Sequence, residues 1–413
     1  MKVCVLTLGC KVNKYESDSL LNSFKKKGYE ISNKLEEADI YVINSCAVTS
    51  EAEKKSRQMI ARALKFNPEA KVYVCGCAAQ HNPGQFAGKA KLVKGVANKG
   101  AIASLQGEGE AIDEVPKEYE EEEFSLQPRT RAYIKVQDGC NNFCSYCIIP
   151  YLRGRSRSRN IKSILEEVKN LSSDIKEIVL TGINLSDYCI NGELSLITLL
   201  EELDKFGFRM RLSSMEEVIA NEEFIARLSR LKNFCPHFHL SLQSGSASVL
   251  KRMNRRYTPD EFYEACTLIR KYFPLASITT DVIVGFPDES EEEFNETKEF
   301  IKKVNFSGLH IFPYSRREGT VAARMVDLSG EIKKRRAACL SELDKELRAS
   351  FVRQNKFGRV LIEESQNGKS EGFTENYIKC HFDEQLPVGA IVDAEILEEI
   401  NGDAVAKIIC KNT

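Results

Sequence analysis

The sequence predicts an α/β protein in three parts: an N-terminal doubly wound parallel sheet, a central partial (βα) barrel and a small C-terminal antiparallel β-barrel. Three observations carry this. The opening stretch alternates strand and helix patterns, and a second β–α alternation follows over roughly 200 residues. After Lys356 the pattern changes to short alternating strands between turn residues.

Taken in order, Lys2 to Leu8 alternates as a strand, and Tyr15 to Lys27 carries a helical period stopped by Gly28. Asp39–Ile43 reads as a strand, Glu51–Phe66 as a helix ended by Asn67-Pro68, and Val72–Val74 as a strand. Such a βαβαβ series closes as a parallel sheet with helices on its faces. From Glu108 to Pro128 the chain is acidic and contains proline, with Glu118-Tyr119-Glu120-Glu121-Glu122-Glu123 inside it. This reads as a linker, its charge run a solvated loop. Barrel strands are expected at Ala132–Val136, Glu177–Leu180, Arg209–Leu212, His237–Leu242, Ser277–Val284 and Gly308–Phe312. Helical patterns fall between them, for example at Ile161–Leu171, Asn221–Leu231, Pro259–Tyr272 and Glu291–Val304. Glu331 to Gln354 is a charged amphipathic helix. Strands then follow at Arg359–Glu363, Gly372–Thr374, Tyr377–Cys380, Val392–Leu397 and Ala404–Ile409, a set that suits a barrel of OB-like size. The expected division is 1–107, a linker 108–128, a barrel 129–353 and a terminal β-barrel 354–413.

Composition narrows the function classes. With 42% hydrophobic residues the chain can bury a real core. No apolar run reaches the roughly 18 residues of a membrane span. The apolar start Met1–Cys10 is too short for a secretory h-region and reads as a strand, so the expected compartment is the reducing cytoplasm. There, 14 cysteines point to metal ligation or catalysis rather than to disulfides. A net charge of −1 means that a nucleic-acid partner needs local basic stripes.

The sharpest motif is Asp138-Gly139-Cys140-Asn141-Asn142-Phe143-Cys144-Ser145-Tyr146-Cys147, directly after the first barrel strand. Such a loop lies on the C-terminal face, where barrel chemistry occurs. Three thiolates suit a 4Fe–4S cluster with one iron left open for a chelating ligand. Structural zinc through Cys144 and Cys147 is the alternative, but no matching fourth ligand stands nearby; Cys189 follows a different strand. A second set is dispersed. Cys10, Cys46 and Cys77 each follow a strand of the N-terminal unit, and parallel strand ends share one sheet edge. The alternative is that they are buried small hydrophobes, the reading given to Cys4, Cys235, Cys266, Cys339, Cys380 and Cys410. Cys75 is an extra thiol two residues from Cys77; Cys77 is preferred because it lies just beyond the strand.

The Cys140 loop, with Tyr146 before the third cysteine, resembles the radical S-adenosylmethionine superfamily. So do Leu180-Thr181-Gly182, Leu240-Ser241-Leu242-Gln243-Ser244-Gly245-Ser246 and Asp281-Val282-Ile283-Val284-Gly285-Phe286-Pro287, in order at strand ends. Over nearly the whole chain, further segments resemble the methylthiotransferase family: Thr7 to Ser17, Asn44 to Thr49, Gly76 to Gln80, Arg153 to Arg159, Leu250 to Thr258 and His310 to Ser315. The opening Gly9-Cys10-Lys11-Val12-Asn13 and the Arg153–Arg159 tract look most like the type that acts on threonylcarbamoyladenosine beside the tRNA anticodon. The isopentenyladenosine branch more usually reads GCQMN there, and the branch modifying a ribosomal-protein aspartate GCPKN. Ser241, Asp288 and Ser45 depart from the commoner Pro, Gly and Thr.

The resemblance implies a barrel of the radical S-adenosylmethionine type and an RNA-binding TRAM barrel at the C-terminus. It implies two [4Fe–4S] clusters, one on Cys140, Cys144 and Cys147 and an auxiliary one on Cys10, Cys46 and Cys77. Two S-adenosylmethionine molecules are used per turnover: one methylates sulfur at the auxiliary cluster, and one is cleaved to a carbon radical that takes hydrogen from carbon-2 of the adenine. Cofactor contacts are expected at Tyr146, Thr181, Gly182, Ser214, Gln243 and Asp281. The expected partners are a tRNA anticodon stem-loop and a flavodoxin or ferredoxin type electron donor, with no membrane. Arg153, Arg155, Arg157 and Arg159, next to the cluster loop, are read as phosphate clamps, with the cofactor carboxylate as the alternative partner for some of them. Lys333-Lys334-Arg335-Arg336 is read as a solvated helix face, and His237 and His239 as barrel-lining groups. The alternatives are the two sister branches with the same chemistry and, more distantly, a zinc RNA-binding protein without activity.

Overall fold

Strand β1 (Lys2–Thr7) is buried on both faces because its alternation serves two helical layers. Val3 and Val5 pack with Leu20, Leu21 and Phe24 of α1 (Lys11–Lys26), while Cys4 and Leu6 pack on the side of Ile60 and Ala63 of α2 (Ser50–Phe66). The computed structural model describes residues 1–126 and 130–411, the last two without side chains; Pro128 and the Cys410 side chain lie outside the described residues. With β2 (Glu30–Ser32), β3 (Ile40–Ser45), β4 (Lys71–Gly76), α3 (Cys77–His81), β5 (Leu92–Lys94) and β6 (Gly109–Ala111), the N-terminal part is a parallel sheet in the order β2-β1-β3-β4-β5-β6. The order reverses between β1 and β3, the place where doubly wound sheets bind ligands. Helix α1 starts four residues ahead of its apolar period, because its first turn faces a cavity and not the core.

The acidic stretch is not a free loop. It supplies edge strand β6, and Glu121, Glu122 and Glu123 pair with Arg159, Lys135 and Lys26.

The central part comprises β7 (Arg131–Lys135), β8 (Gln137–Asp138), α4 (Ile149–Arg153), β9 (Arg157–Ser158), α5 (Ile161–Lys169), β10 (Glu177–Thr181) and a small hairpin of β11 (Cys189–Ile190) and β12 (Glu193–Leu194). It continues through α6 (Leu196–Asp204), β13 (Arg209–Leu212), β14 (Ser214–Met215), α7 (Glu222–Leu228), β15 (His237–Leu240), α8 (Ala247–Arg252), α9 (Pro259–Tyr272), β16 (Ser277–Val284), α10 (Glu291–Val304) and β17 (Gly308–Pro313). Two parallel sheets, β7-β10-β13 and β14-β15-β16-β17, meet at Ser213 to make one curved wall. Among the described residues β7 and β17 do not pair, so the barrel is partial. Helix α11 (Gly330–Gln354) lays Leu340, Leu343 and Leu347 into its core. Cys339 points the other way and is exposed, against the expectation of burial. No helix among the described residues is long and apolar enough to cross a membrane.

The C-terminal barrel closes in the order β18-β19-β20-β22-β21, from β18 (Phe357–Gln366), β19 (Lys369–Phe373), β20 (Lys379–Phe382), β21 (Ile391–Ile400) and β22 (Asp403–Lys411). It is antiparallel except between β20 and β22, which are parallel. An odd number of strands cannot alternate direction around a closed ring, so one parallel pair is unavoidable.

This barrel docks on the N-terminal ends of β7, β10 and β13. Glu177 is fully buried and receives Arg131 at 2.6 Å, Arg209 at 3.1 Å and Arg211 at 2.8 Å. Arg209 and Arg211 go on to donate to the carbonyls of Arg359, Phe373, Thr374 and Glu375. Arg131 also pairs with Glu363. Burial works to raise the Glu177 pKa, but Arg211, Arg131 and Arg209 outweigh it and hold the group at about 2.

Glu177→Gln is expected to cost about 3–5 kcal/mol in urea unfolding, because buried Arg209 and Arg211 lose their counter-charge and Arg131 is left with Glu363 alone. The folded pKa lies below the ordinary 4.5, so this contribution is complete above pH 4.5 and fades as pH falls toward about 2. The gap between wild type and variant should therefore narrow on acidification.

Candidate active site

Cys10, Cys46 and Cys77 follow β1, β3 and β4 and line one crevice at the ends of those strands. The turns are locked together. At Gly9 the backbone has φ +96°, and a Cβ there would stand 2.6 Å from Cys46 Sγ, so only glycine lets the two turns approach. Asn13 Nδ2 donates to the Leu8 and Ser45 carbonyls at 2.8 and 3.0 Å. Ser45 Oγ donates to the Cys75 carbonyl at 2.5 Å and accepts from Ala79 N–H at 3.2 Å. A hydroxyl is what this position uses, which is why serine serves in place of threonine. Cys75 faces the opposite layer, packed with Val3, Val5 and Tyr73, and does not line the crevice.

Cys140, Cys144 and Cys147 lie on the loop between β8 and α4. Gly139, with φ +72°, passes so close to Arg155 that a Cβ would meet its carbonyl oxygen at 2.0 Å. The Leu250–Thr258 segment clamps the loop from one side. Ser145 N–H and Oγ donate to the Met253 and Arg252 carbonyls, and Asn254 Nδ2 donates to those of Asn142 and Phe143. On the other side Glu216 gathers Asn142 Nδ2 at 2.8 Å, Asn184 Nδ2 at 3.3 Å and Arg255 at 2.7 Å. Arg255 Nη1 then reaches Cys144 Sγ at 3.5 Å. Glu216 escaped sequence reading, because nothing in its neighbourhood marks a carboxylate whose partners come from three separate loops.

Both cysteine sets line a single cavity of about 900 Å³. Tyr146, Thr181, Gly182, Ser214, Gln243 and Asp281 line it too, so all the expected cofactor contacts meet in one place. Asp281 is held by His239 Nε2 at 3.2 Å and His310 Nδ1 at 3.3 Å. Its pKa falls well below the carboxylate range: burial opposes this, and hydrogen bonds from the two imidazoles outweigh it. Burial pushes the thiols of Cys46, Cys140 and Cys147 up to about 12. Such thiols stay protonated until a cation's charge displaces the proton. Three per set, on loops open to a cavity, fit a cluster that leaves one iron free for a ligand.

The arginine tract requires a correction. Arg153, Arg157 and Arg159 were expected to clamp RNA phosphates, but all three are buried. Arg153 donates to Glu16 Oε1 at 2.9 Å, to both Asp138 oxygens at 3.0 Å, to Asn13 Oδ1 at 2.7 Å and, through Nε, to Cys77 Sγ at 3.2 Å. Arg157 donates to the carbonyls of Arg153 and Arg155. Arg159 pairs with Glu167 and Glu121. Only Arg155 is exposed, lying over the Phe143 ring at 4.3 Å. The tract is spent on intramolecular carboxylates because the acidic residues of α1, β8 and the linker fold onto it.

Three thiols on the first barrel loop, with strand-end groups converging on the same cavity, define a radical S-adenosylmethionine enzyme, here with a second three-cysteine set facing the first. Residues 134–301 match the radical SAM superfamily, and residues 2–98 match a family described as uncharacterized protein family UPF0004. The threonylcarbamoyladenosine tRNA methylthiotransferase MtaB of Aquifex aeolicus is 41% identical over 411 residues, covering 95% of this chain and 99% of its own. That of Bacillus subtilis is 40% identical over 418 residues, covering 95% and 93%. In fold alone, the radical S-adenosylmethionine methyltransferase TsrM from Kitasatospora setae matches with a TM-score of 0.55 at 13% identity, over 78% of this chain and 76% of that one. The chain belongs to the MtaB-type tRNA methylthiotransferase family. Membership of the radical S-adenosylmethionine superfamily implies a [4Fe–4S] cluster and S-adenosylmethionine.

Arg153→Met takes one buried cation from both Asp138 and Glu16, leaving them to Lys135, Lys99 and Arg157, and is expected to cost about 3–5 kcal/mol in urea unfolding. Arg155→Met, at an exposed position, should cost less than about 0.5 kcal/mol in the same assay.

Proposed function

We infer that this chain methylthiolates carbon-2 of threonylcarbamoyladenosine beside the anticodon of tRNA, the activity named for its MtaB relatives. The observation that carries the reading is the placement of two three-cysteine sets on one cavity large enough for a nucleoside and a cofactor. In this reading Cys140, Cys144 and Cys147 hold one [4Fe–4S] cluster and Cys10, Cys46 and Cys77 hold a second. When bound, the clusters and two S-adenosylmethionine molecules per turnover supply the reductive cleavage and the methylated sulfur that replace an unactivated C–H bond by C–S.

The chain's own residues hold and shield. Arg255 and Arg153 each give an N–H to one ligand sulfur, Cys144 and Cys77, a contact that tunes cluster potential. Tyr146, Thr181, Gly182, Ser214, Gln243 and Asp281 receive the cofactor. The C-terminal barrel takes the role of a TRAM domain and closes the far end of the cavity with Phe373, Tyr377 and Ile378, while Arg155 is left to meet RNA. A flavodoxin or ferredoxin type donor delivers electrons, in the cytoplasm.

Iron and sulfide analysis under anaerobic conditions tests this. Wild type should carry about eight irons, and the Cys10/Cys46/Cys77→Ala variant about four. About four irons in both would leave a single-cluster enzyme and remove sulfur insertion.

A further inference from the structure

Lys11, the residue after Cys10, is the first residue of α1, and its side chain is open to the cavity. The other charged groups on the cavity wall are engaged. Arg131 and Arg211 are held by Glu177, Arg153 by Glu16 and Asp138, Arg255 by Glu216, Arg348 by Asp344 and Lys379 by Glu371; Asp403 pairs with His381, and Asp281 with two imidazoles. Among the described residues the Lys11 side chain has no hydrogen bond or ion pair. Its position is also locally unfavourable: a cation at a helix N-terminus opposes the macrodipole, and the first turn of α1 holds no acidic residue and no side-chain cap. A lone ammonium and an uncapped helix end facing the same space both call for an anion.

We propose that Lys11 binds the carboxylate of the amino-acid arm on the substrate adenine, and so selects a threonylcarbamoyl nucleoside over adenines whose N6 substituent is uncharged. This rests on the function proposed above. The acceptor adenine has to lie between the two cysteine sets, since sulfur comes from the Cys10 side. A substituent on that adenine falls within reach of the residue beside Cys10. Lys11 shares the cavity lining with His237 and Asp281 of the barrel interior, so the space where the arm would extend is continuous with the space at Lys11.

The methionyl carboxylate of S-adenosylmethionine is the other source of the same chemistry, and the test separates the two. Binding of anticodon stem-loops carrying threonylcarbamoyladenosine or its methyl ester is measured by fluorescence anisotropy on full-length, cluster-loaded wild type, Lys11→Gln and Lys11→Arg. Wild type should prefer the acid by about tenfold or more, the effect of one charge-assisted hydrogen bond. Lys11→Gln should bind acid and ester alike, and Lys11→Arg should restore part of the preference. A Lys11→Gln protein that keeps the acid preference, or a wild type that has none, overturns the proposal. So does a loss of S-adenosylmethionine affinity in Lys11→Gln without RNA, which would assign the ammonium to the cofactor. Wild type that prefers the acid stem-loop but forms no methylthio product would overturn the proposed function and leave the Lys11 assignment standing.

Discussion

One buried guanidinium joins the two halves of the site. Arg153, at the end of α4 in the barrel, donates across the domain boundary to Asn13 and Glu16 of α1 and to Cys77 Sγ, and within the barrel to Asp138, two residues before Cys140. Burying such a group is costly unless every donor is matched. Here the match comes from two carboxylates, an amide and a sulfur, and Lys99 and Lys135 complete the charge balance of Glu16 and Asp138. The network has a low-energy state only when the sheet edge and the barrel mouth are in register, which makes it a ruler between the two cysteine sets.

A second buried knot works at the opposite end. Glu177 draws three arginines together, and their remaining N–H groups hold the backbone of the C-terminal barrel. Tyr377 from that barrel stacks on His237 with ring centroids 4.6 Å apart, closing the floor. The cavity is therefore built by two charged clusters, one carrying the N-terminal sheet and one the C-terminal barrel. Its charged lining is otherwise paired, which is what makes the unpaired Lys11 stand out as a group reserved for a ligand.

The elements were legible because each has a strong local cause. Strands β1, β3 and β4 of the N-terminal sheet are buried on both faces, and α9 and α10 begin at capping boxes, Thr258 with Glu261 and Ser290 with Glu293. Pro259–Tyr272, Glu291–Val304, Arg209–Leu212 and Ser277–Val284 fall where the pattern places them. The short pieces β2, β5, β6 and α3 carry too few residues for any period, and they were missed. The cysteines were legible for a different reason: Cys140, Cys144 and Cys147 share one short loop, and Cys10, Cys46 and Cys77 each follow a strand, whose parallel C-termini strand order brings to one edge.

What the sequence determined by itself is therefore whatever depends on near neighbours: the helices and strands, the glycines before Cys10, Cys77 and Cys140, the three-cysteine loop. What only the tertiary structure decided is the destination of charge. The spacing of Arg153, Arg155, Arg157 and Arg159 is the same whether they face phosphates or carboxylates, and nothing local distinguishes the two. Glu16, Asp138, Glu167 and Glu121 come from four separate segments, and only folding places them around the tract. A buried charge is resolved by partners that are distant in sequence, so its role becomes readable once those partners have been brought to it.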